Sequence, residues 1–469
     1  MGEEFRHKII IDPVHGDIGL SKLETELIDT PTFQRLRRIK QLGLAYTVYP
    51  NARHSRFEHS LGVMHIMGRI LESFRNKDKG AVPEDDFRKL RIAALLHDIG
   101  HYPYSHLMEK IDWDSAQRYI TKKAESSDRE ETAPLKEYPK HDKLGGIVIT
   151  RRKDIAEKLK SGDIKDIVAL IRGQHQSIPN LLSASLDVDR LDYLLRDSLN
   201  TGLPYGRIDL NYIVNNLELT DEKEIVVREK AKSSIEHMLM GRYFMFNTVY
   251  MHKTVFAFEE IIRRIVLALW RRGKIPRSGD EIEQMACEDS ERFLEFNDEY
   301  LDRLIDKYAD SKKDKKLVAL CTAVKLRQPP KLVYEISELT LNSNNPSKEY
   351  TLLTTRFKNE VKVLVRDTNI PEDRWIFKDV KTPEFEKLHP FVSLAEAAAI
   401  KDGGEQQFRE LVRVKKKSGE LERLLEDKSS VLHYMSRLKP RLYRVYVIGV
   451  DDAKAKEIRD KIQDWLQGG

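Results

Sequence analysis

The chain has 469 residues, of which 40% are hydrophobic and 33% charged, a globular rather than a disordered composition, and long enough to predict two or more subdomains. Its 81 basic and 76 acidic side chains leave a formal net charge of +5, not the concentrated basic excess of a nucleic-acid binder, so no nucleic-acid partner is indicated. The two cysteines, Cys287 and Cys321, make no CxxC pair, which argues against a thiol metal site or a disulfide framework and suits a reducing, cytoplasmic compartment.

The opening residues, Met1-Gly2-Glu3-Glu4-Phe5-Arg6, are acidic at once and hold no apolar signal core. Asp12-Pro13-Val14-His15-Gly16 reads as a turn. Thr30-Pro31 starts a helix, with proline at a tolerated early position. Ser55-Arg56-Phe57-Glu58 has capping-box spacing, and Phe57, Leu61, Met64, Ile70 and Leu71 follow at helical intervals. Ile92 to Leu96 is an unbroken apolar run, which predicts a buried helix ended by Gly100. From about Lys122 to Lys143 the chain is charged and contains proline, which predicts an exposed loop. A helix over Leu186 to Leu199 precedes Gly202 and Pro204.

Residues from about Asp221 to Leu326 read as helical. Within them Thr254 to Trp270 is interrupted by Glu259, Glu260, Arg263 and Arg264, so it predicts a packed amphipathic helix and no membrane partner. Ser311 to Lys316 is a solvated charge run. After about Pro329 the texture changes. Leu332 to Ile336 and Arg441 to Ile448 read as strands, and Ala453 to Leu466 as a closing helix. The expected fold is mainly α, with a helical domain over 1–325 and a smaller α+β C-terminal lobe over 326–469.

The chemistry concentrates at His97-Asp98, beside that buried apolar run. An imidazole and a carboxylate are costly there unless paired or bound to a cation. Alone, the doublet reads equally as a hydrogen-bonded structural pair. His59 lies one turn inside its capped helix, Asp189 opens a later one, and His101, His106 and His141 add imidazoles. Two His and two Asp make a nitrogen and oxygen set that suits a divalent ion with positions left for water and substrate. Asp189, Tyr193 and Asp197 recur at i, i+4 and i+8 on one helix face, which reads either as a site lining or as a solvated face.

Arg56-Phe57-Glu58-His59-Ser60-Leu61-Gly62-Val63, His97-Asp98-Ile99-Gly100-His101 and Asp187-Val188-Asp189-Arg190-Leu191-Asp192-Tyr193 together resemble the HD-domain deoxynucleoside triphosphate triphosphohydrolases. Asp12 to Gly16 and the stretch from Asp29-Thr30-Pro31 to Gln41-Leu42-Gly43 add to the match. The resemblance covers about 7–255 and is faint beyond. The animal members that carry a sterile alpha motif look most similar, though this chain is expected to lack that motif.

The resemblance implies a helical HD-domain core whose metal ligands are His59, His97, Asp98 and Asp189, holding one Fe, Mn, Zn or Mg ion, with Mg²⁺ accompanying the nucleotide. It implies hydrolysis of deoxynucleoside triphosphates (dNTPs) to deoxynucleoside and inorganic triphosphate by water attack at the α-phosphorus. His106 matches the proton donor to the leaving 5′ oxygen, oriented by Glu109, which stands where the family has Asp. His101 and His141 match positions near the ligands and facing the α-phosphate. Arg56, Arg242 and Arg190 (in place of a family Lys) match phosphate contacts. Gln41, Tyr193 and Asp197 match contacts to the sugar 3′-hydroxyl, and Leu42 and Tyr250 match the wall that excludes a 2′-hydroxyl.

Lys8, Asp29, Gln34 and Arg37 match a guanine-nucleotide activator site, with Arg327 and Lys331 as a neighbouring subunit's phosphate contacts and Ile11 replacing a family Asn. The plainer reading is that Asp29, Gln34 and Arg37 cap and brace their helix. A homo-oligomer, dimer or tetramer, activated by GTP or a dNTP, is implied. The alternatives are another HD phosphohydrolase, acting on nucleotide monophosphates, cyclic nucleotides or nucleic-acid ends, and a non-catalytic nucleotide binder.

Overall fold

The computed structural model describes residues 7–125, 134–175, 181–182, 186–288, 291–341, 347–379, 412–435 and 438–467. Strands β1 (Lys8–Asp12) and β2 (Gly16–Leu20) form an antiparallel hairpin. The predicted turn joins them: the Asp12 carboxylate accepts the Val14 and His15 amides at 2.9 Å each. Helix α1 (Lys22–Ile28) follows behind a Ser21/Glu24 capping box. Thr30 then caps the short helix Pro31–Gln34, with Pro31 in its first turn.

Helix α2 (Arg56–Lys77) is the axis of the fold. The Ser55/Glu58 capping box starts it, and apolar side chains from Phe57 to Phe74 bury it on several sides. Helix α3 (Glu84–Leu96) packs along one flank and α5 (Val188–Thr201) along another, while α4 (His141–Arg151) lies between them in sequence. Asp187 caps α5 by accepting the Arg190 amide. α3 ends four residues before Gly100: His97 is its C-cap and Asp98 lies in the turn beyond. The doublet is therefore presented from a turn over α2, not from within a helix.

Two expectations are corrected. Part of the charged stretch predicted as a loop is helical, because helix Trp113–Glu125 lays Ala116, Tyr119 and Ile120 against the core. Residues 126–133 of that stretch lie outside the described residues. The region after Asp221 does not begin as a helix. It begins in a hairpin of β3 (Leu217–Leu219) and β4 (Ile225–Arg228). Helix α6 (Lys232–Met245), a π-helical turn over Phe246–Tyr250, α7 (Lys253–Arg271) and α8 (Asp298–Ala309) follow. α7 is the amphipathic helix expected over Thr254 to Trp270, its apolar side buried and Arg263 paired with Glu259 and Glu260. Among the described residues no helix is long and apolar enough to cross a membrane.

The C-terminal part builds a three-stranded antiparallel sheet in the order β5 (Lys331–Leu341), β9 (Leu438–Val447), β6 (Trp375–Asp379). Helices α9 (Lys348–Asn359), α10 (Val361–Thr368) and α11 (Asp452–Gln467) supply Phe357, Leu364, Ile458 and Ile462 to its core. Between these strands in sequence, β7 (Arg413–Lys415) and β8 (Leu421–Arg423) return to the first core. β7 pairs parallel to β4, and Val414, Leu424 and Leu432 pack with the helical body. The fold is mainly α with a smaller α+β C-terminal lobe.

The turn that carries Asp98 is held close to α4 at Gly100. A β-carbon there would fall 2.2 Å from the His141 carbonyl oxygen and 2.3 Å from the Gly145 nitrogen, both backbone atoms. Gly100→Ala is expected to cost about 1–3 kcal/mol of stability through overpacking, read as a lowered midpoint in thermal unfolding.

Candidate metal centre

α2 supplies His59, the turn after α3 supplies His97 and Asp98, and the first turn of α5 supplies Asp189. His59 Nε2 lies 2.8 Å from Asp189 Oδ1 and 3.8 Å from Asp98 Oδ2. His97 Nε2 lies 3.4 Å from Asp98 Oδ1 and 4.0 Å from Asp189 Oδ1. The other ring nitrogens are already engaged: His59 Nδ1 sits 2.8 Å from Asp192 Oδ2, and His97 Nδ1 sits 2.8 Å from the Ala94 carbonyl oxygen. Both Nε2 atoms are buried and neither makes an aligned hydrogen bond, although the Asp189 carboxylate stands beside that of His59. Two imidazoles fixed by one nitrogen and left unsatisfied at the other, beside two carboxylates, fit a divalent cation by donor type and by orientation.

The charges support the same reading. Burial would hold the His59 pKa down, but Asp189 and Asp192 raise it to about 10. Burial would raise the Asp98 carboxyl, but Arg56, His97 and His101 hold it well below the ordinary carboxylate range. Without a cation this pocket already favours ionised carboxylates.

Asp192, a side chain to which sequence reasoning gave no role, carries the second layer. It is fully buried. His15 Nε2 approaches its Oδ1 at 2.6 Å, and the Arg196 guanidinium donates to both its oxygens at 2.8 and 2.9 Å. Arg196 also donates to Asp12 at 2.8 Å, which ties α5 to the β1–β2 turn. The available signal was the i, i+4 pairing of Asp192 with Arg196. Asp12 and His15 read only as turn residues.

Arg56 lies buried on the opposite side. It donates from Nη1 to Asp98 Oδ2 at 2.5 Å and from Nε to the Ser105 hydroxyl at 2.9 Å. Tyr104 and Ser105 adopt the left-handed region, φ 53° and 56°, at a cost of roughly 1–2 kcal/mol each. Next to them His101, His106, Glu109 and His141 form a second group. Asp98 Oδ1 lies 3.1 Å from His101 Nε2, and the His101 ring stacks on His141 at 4.1 Å between centroids. Glu109 holds two imidazoles at once, with Oε1 2.8 Å from His141 Nδ1 and Oε2 3.4 Å from His106 Nδ1. Crowding by its neighbours lowers the His106 pKa against the pull of Glu109, though the side chain is still 55% exposed, whereas Glu109 outweighs burial at His141 and raises it.

The remaining predicted residues divide. Tyr193 and Tyr250 meet edge to face at 6.3 Å. Both Asp197 oxygens are engaged, one by His54 Nε2 at 2.8 Å and one by the Tyr250 hydroxyl at 2.6 Å. Arg242 is buried, and burial lowers its pKa, with Arg190 adding to that effect and Tyr193 and Asp187 opposing it. Arg190 Nε lies 3.4 Å from Asp187. Gln41 follows the Lys40–Ser55 bridge, its amide on the His54 carbonyl at 3.0 Å and its side-chain oxygen buried without a partner, and Leu42 packs half-buried on the core.

Farther away, Lys8 faces Asp29 at 3.7 Å. Gln34 donates to the Ile28 carbonyl oxygen and accepts from Arg37, so these two brace each other. Ile11, the family Asn position, is 83% exposed. Arg327 is tied to the Thr47 carbonyl oxygen and Lys331 to Asp452, so the six residues form no single cluster within one chain.

Asp192 fixes the tautomer and angle of His59, so losing its charge should loosen the centre without emptying the fold. Asp192→Asn is expected to weaken Mn²⁺ binding by about 10–100-fold, measured by calorimetric titration of folded protein. Unchanged affinity would remove Asp192 from the account.

Residues 56–197 match the HD domain family and residues 208–336 match the HD associated region. An uncharacterized protein of Methanocaldococcus jannaschii is 35% identical over 306 residues, 64% of this chain and 58% of that one. The deoxynucleoside triphosphate triphosphohydrolase SAMHD1 of Bos taurus is 31% identical over 268 residues, 52% of this chain and 45% of that one. The chain thus spans about half the length of the curated relatives it matches. In fold it is similar to the crystal structure of a phosphohydrolase from Bacteroides thetaiotaomicron, with TM-score 0.65 and 23% identity over 93% of this chain and 99% of that one. The two matched regions, together more than half of the chain, show that it belongs to the HD-domain family.

Proposed function

We propose that this protein hydrolyses dNTPs to deoxynucleoside and inorganic triphosphate, in the cytoplasm and as a homo-oligomer, with GTP or a dNTP as activator. The observation that carries the chemistry is the pair of unsatisfied Nε2 atoms on His59 and His97 facing Asp98 and Asp189. The name of the bovine relative supports the substrate class. These four side chains would hold a divalent cation, Fe, Mn, Zn or Mg. When bound, it supplies the Lewis acidity that lets water act as a nucleophile near neutral pH.

The chain's own residues do the rest. Arg56, anchored by Asp98 and Ser105, turns one cationic face to the α-phosphate, and Arg190 and Arg242 add charge from the α5 side. Water attacks the α-phosphorus in line with the bond to the 5′ oxygen and gives up its proton to solvent. As that bond breaks, His106 donates its proton from Nε2 to the departing oxygen, its Nδ1 held by Glu109. His141, whose pKa the same carboxylate raises, stands on the phosphate side. Gln41, Leu42, Tyr193 and Tyr250 line the sugar side, with Asp197 holding the Tyr250 hydroxyl in place.

The test is to incubate each dNTP and NTP with Mn²⁺ or Mg²⁺, with and without GTP, and identify the products. Deoxynucleoside plus triphosphate is expected, with ribonucleotides spared. Release of a single phosphate would overturn the reading. Asp189→Ala is expected to lower kcat by about 10³-fold, the several kcal/mol that a lost cation contributes.

The acid role also has a signed pH dependence. His106 must be protonated to act, so kcat/KM falls as pH rises through its pKa, which crowding by its neighbours already depresses. Glu109→Gln removes the carboxylate that pulls that pKa up, so the alkaline limb is expected to move to lower pH. A limb that stays in place would assign the proton to another group.

A further inference from the structure

Asp298 stands far from the metal centre in sequence and outside the HD domain, at the start of α8, yet its carboxylate is buried between two site loops. It is 1% exposed. Its Oδ1 accepts the Tyr104 amide at 2.7 Å. Its Oδ2 accepts the Lys40 amide at 3.1 Å and lies 3.2 Å from Lys40 Nζ. One carboxylate therefore fixes two backbone positions from different parts of the chain.

Each of those positions leads into the site. The Ser105 hydroxyl donates to the Lys40 carbonyl oxygen at 2.9 Å, and the Ser105 Oγ in turn accepts from Arg56 Nε at 2.9 Å. The Arg56 guanidinium then meets Asp98. Lys40 also precedes Gln41 and Leu42, and the Gln41 amide bonds the His54 carbonyl oxygen at 3.0 Å. Tyr104 and Ser105 are consecutive left-handed residues with side chains, a conformation that persists only where surrounding contacts over-determine it. Asp298 on the Tyr104 amide and Asp302 on the Tyr104 hydroxyl supply such contacts, both from α8.

We propose that Asp298, contributed by the HD associated region, is a positioning residue that sets the Arg56 guanidinium on Asp98 and holds the Gln41–Leu42 strap beside the substrate. The role assigned to Arg56 rests on the reading of the site given above; the clamp on Lys40 and Tyr104 does not. Asp298 touches neither substrate nor cation. It acts through the Lys40 and Ser105 relay, and Asn in its place would present an N–H to one of the two backbone donors it now satisfies.

The experiment compares wild type, Asp298→Asn, Ser105→Ala and the double variant. It reads kcat and KM with a dNTP, turnover of bis(4-nitrophenyl) phosphate, Mn²⁺ affinity, and hydrogen exchange of the amides at 40 and 104. Ser105→Ala keeps the fold testable if Asp298→Asn unfolds. Asp298→Asn is expected to bind Mn²⁺ like wild type, to exchange both amides at least about tenfold faster, and to lose about 10–100-fold in kcat with a raised KM. Ser105→Ala should lose about tenfold in kcat, and the double variant no more than the worse single one, since both break one relay.

Faster exchange with unchanged turnover would leave Asp298 a structural residue and overturn the proposal, as would additive losses in the double variant. If wild type cleaves no dNTP, the substrate reading fails while the artificial diester still reads the relay.

Discussion

The fully buried Asp192 carboxylate is the constraint around which the centre is built. Removing such a charge from water costs several kcal/mol, and close, well-aligned cationic donors are needed to offset it. Arg196 comes from the same helix, His15 from the β1–β2 turn, and His59 from α2. Satisfying one side chain therefore fixes three segments against one another. Gly62 permits the approach: a β-carbon on α2 at that point would lie 1.8 Å from Asp192 Oδ1. The angle at which His59 presents Nε2 follows from that packing, so the protein's own contacts set the geometry of this donor.

Asp98 meets the same electrostatic demand by another route. Its partners, Arg56 and His101, come from α2 and from the turn it belongs to. Both Asp98 oxygens are shared: Oδ2 takes Arg56 and lies 3.8 Å from His59 Nε2, while Oδ1 lies 3.1 Å from His101 Nε2 and 3.4 Å from His97 Nε2. Acidic and basic side chains thus meet at one buried carboxylate, and each offsets the burial of the other.

Much of this was legible because local rules coincide with the chemistry. The Ser55/Glu58 capping box fixes the start of α2, and that start fixes where His59 lies. The Ile92 to Leu96 run marks a buried helix, so the polar pair behind it stands out. The Asp187 cap places Asp189 in a first turn. What was not legible depends on approach across the fold. Asp12 and His15 precede Asp192 by about 180 residues, and no periodicity joins them. Helix Trp113–Glu125 was hidden because its charged outer face outweighs a narrow apolar stripe. The β3–β4 hairpin was hidden because strands of three and four residues carry too little alternation to be recognised. That residues 412–435 return to the first core could not be read from a change of texture near Pro329, since texture reports local conformation and not destination.

The helical lobe cannot be divided cleanly at the end of the HD domain. Both Nε and Nη2 of buried Arg35 donate to the Phe296 carbonyl oxygen, at 3.1 and 2.6 Å, and Tyr49 donates its hydroxyl to the Thr248 carbonyl oxygen at 2.8 Å. Tyr250 reaches Asp197 from the π-helical turn Phe246–Tyr250, which interrupts the regular 3.6-residue repeat between α6 and α7. Such turns are less stable than α-helix and persist where their offset is used. Here the offset delivers a hydroxyl to a carboxylate on α5, about two turns along that helix from Asp189. The segment after residue 197 therefore braces the HD domain, and a chain cut at that boundary would keep His59, His97, Asp98 and Asp189 while losing these contacts.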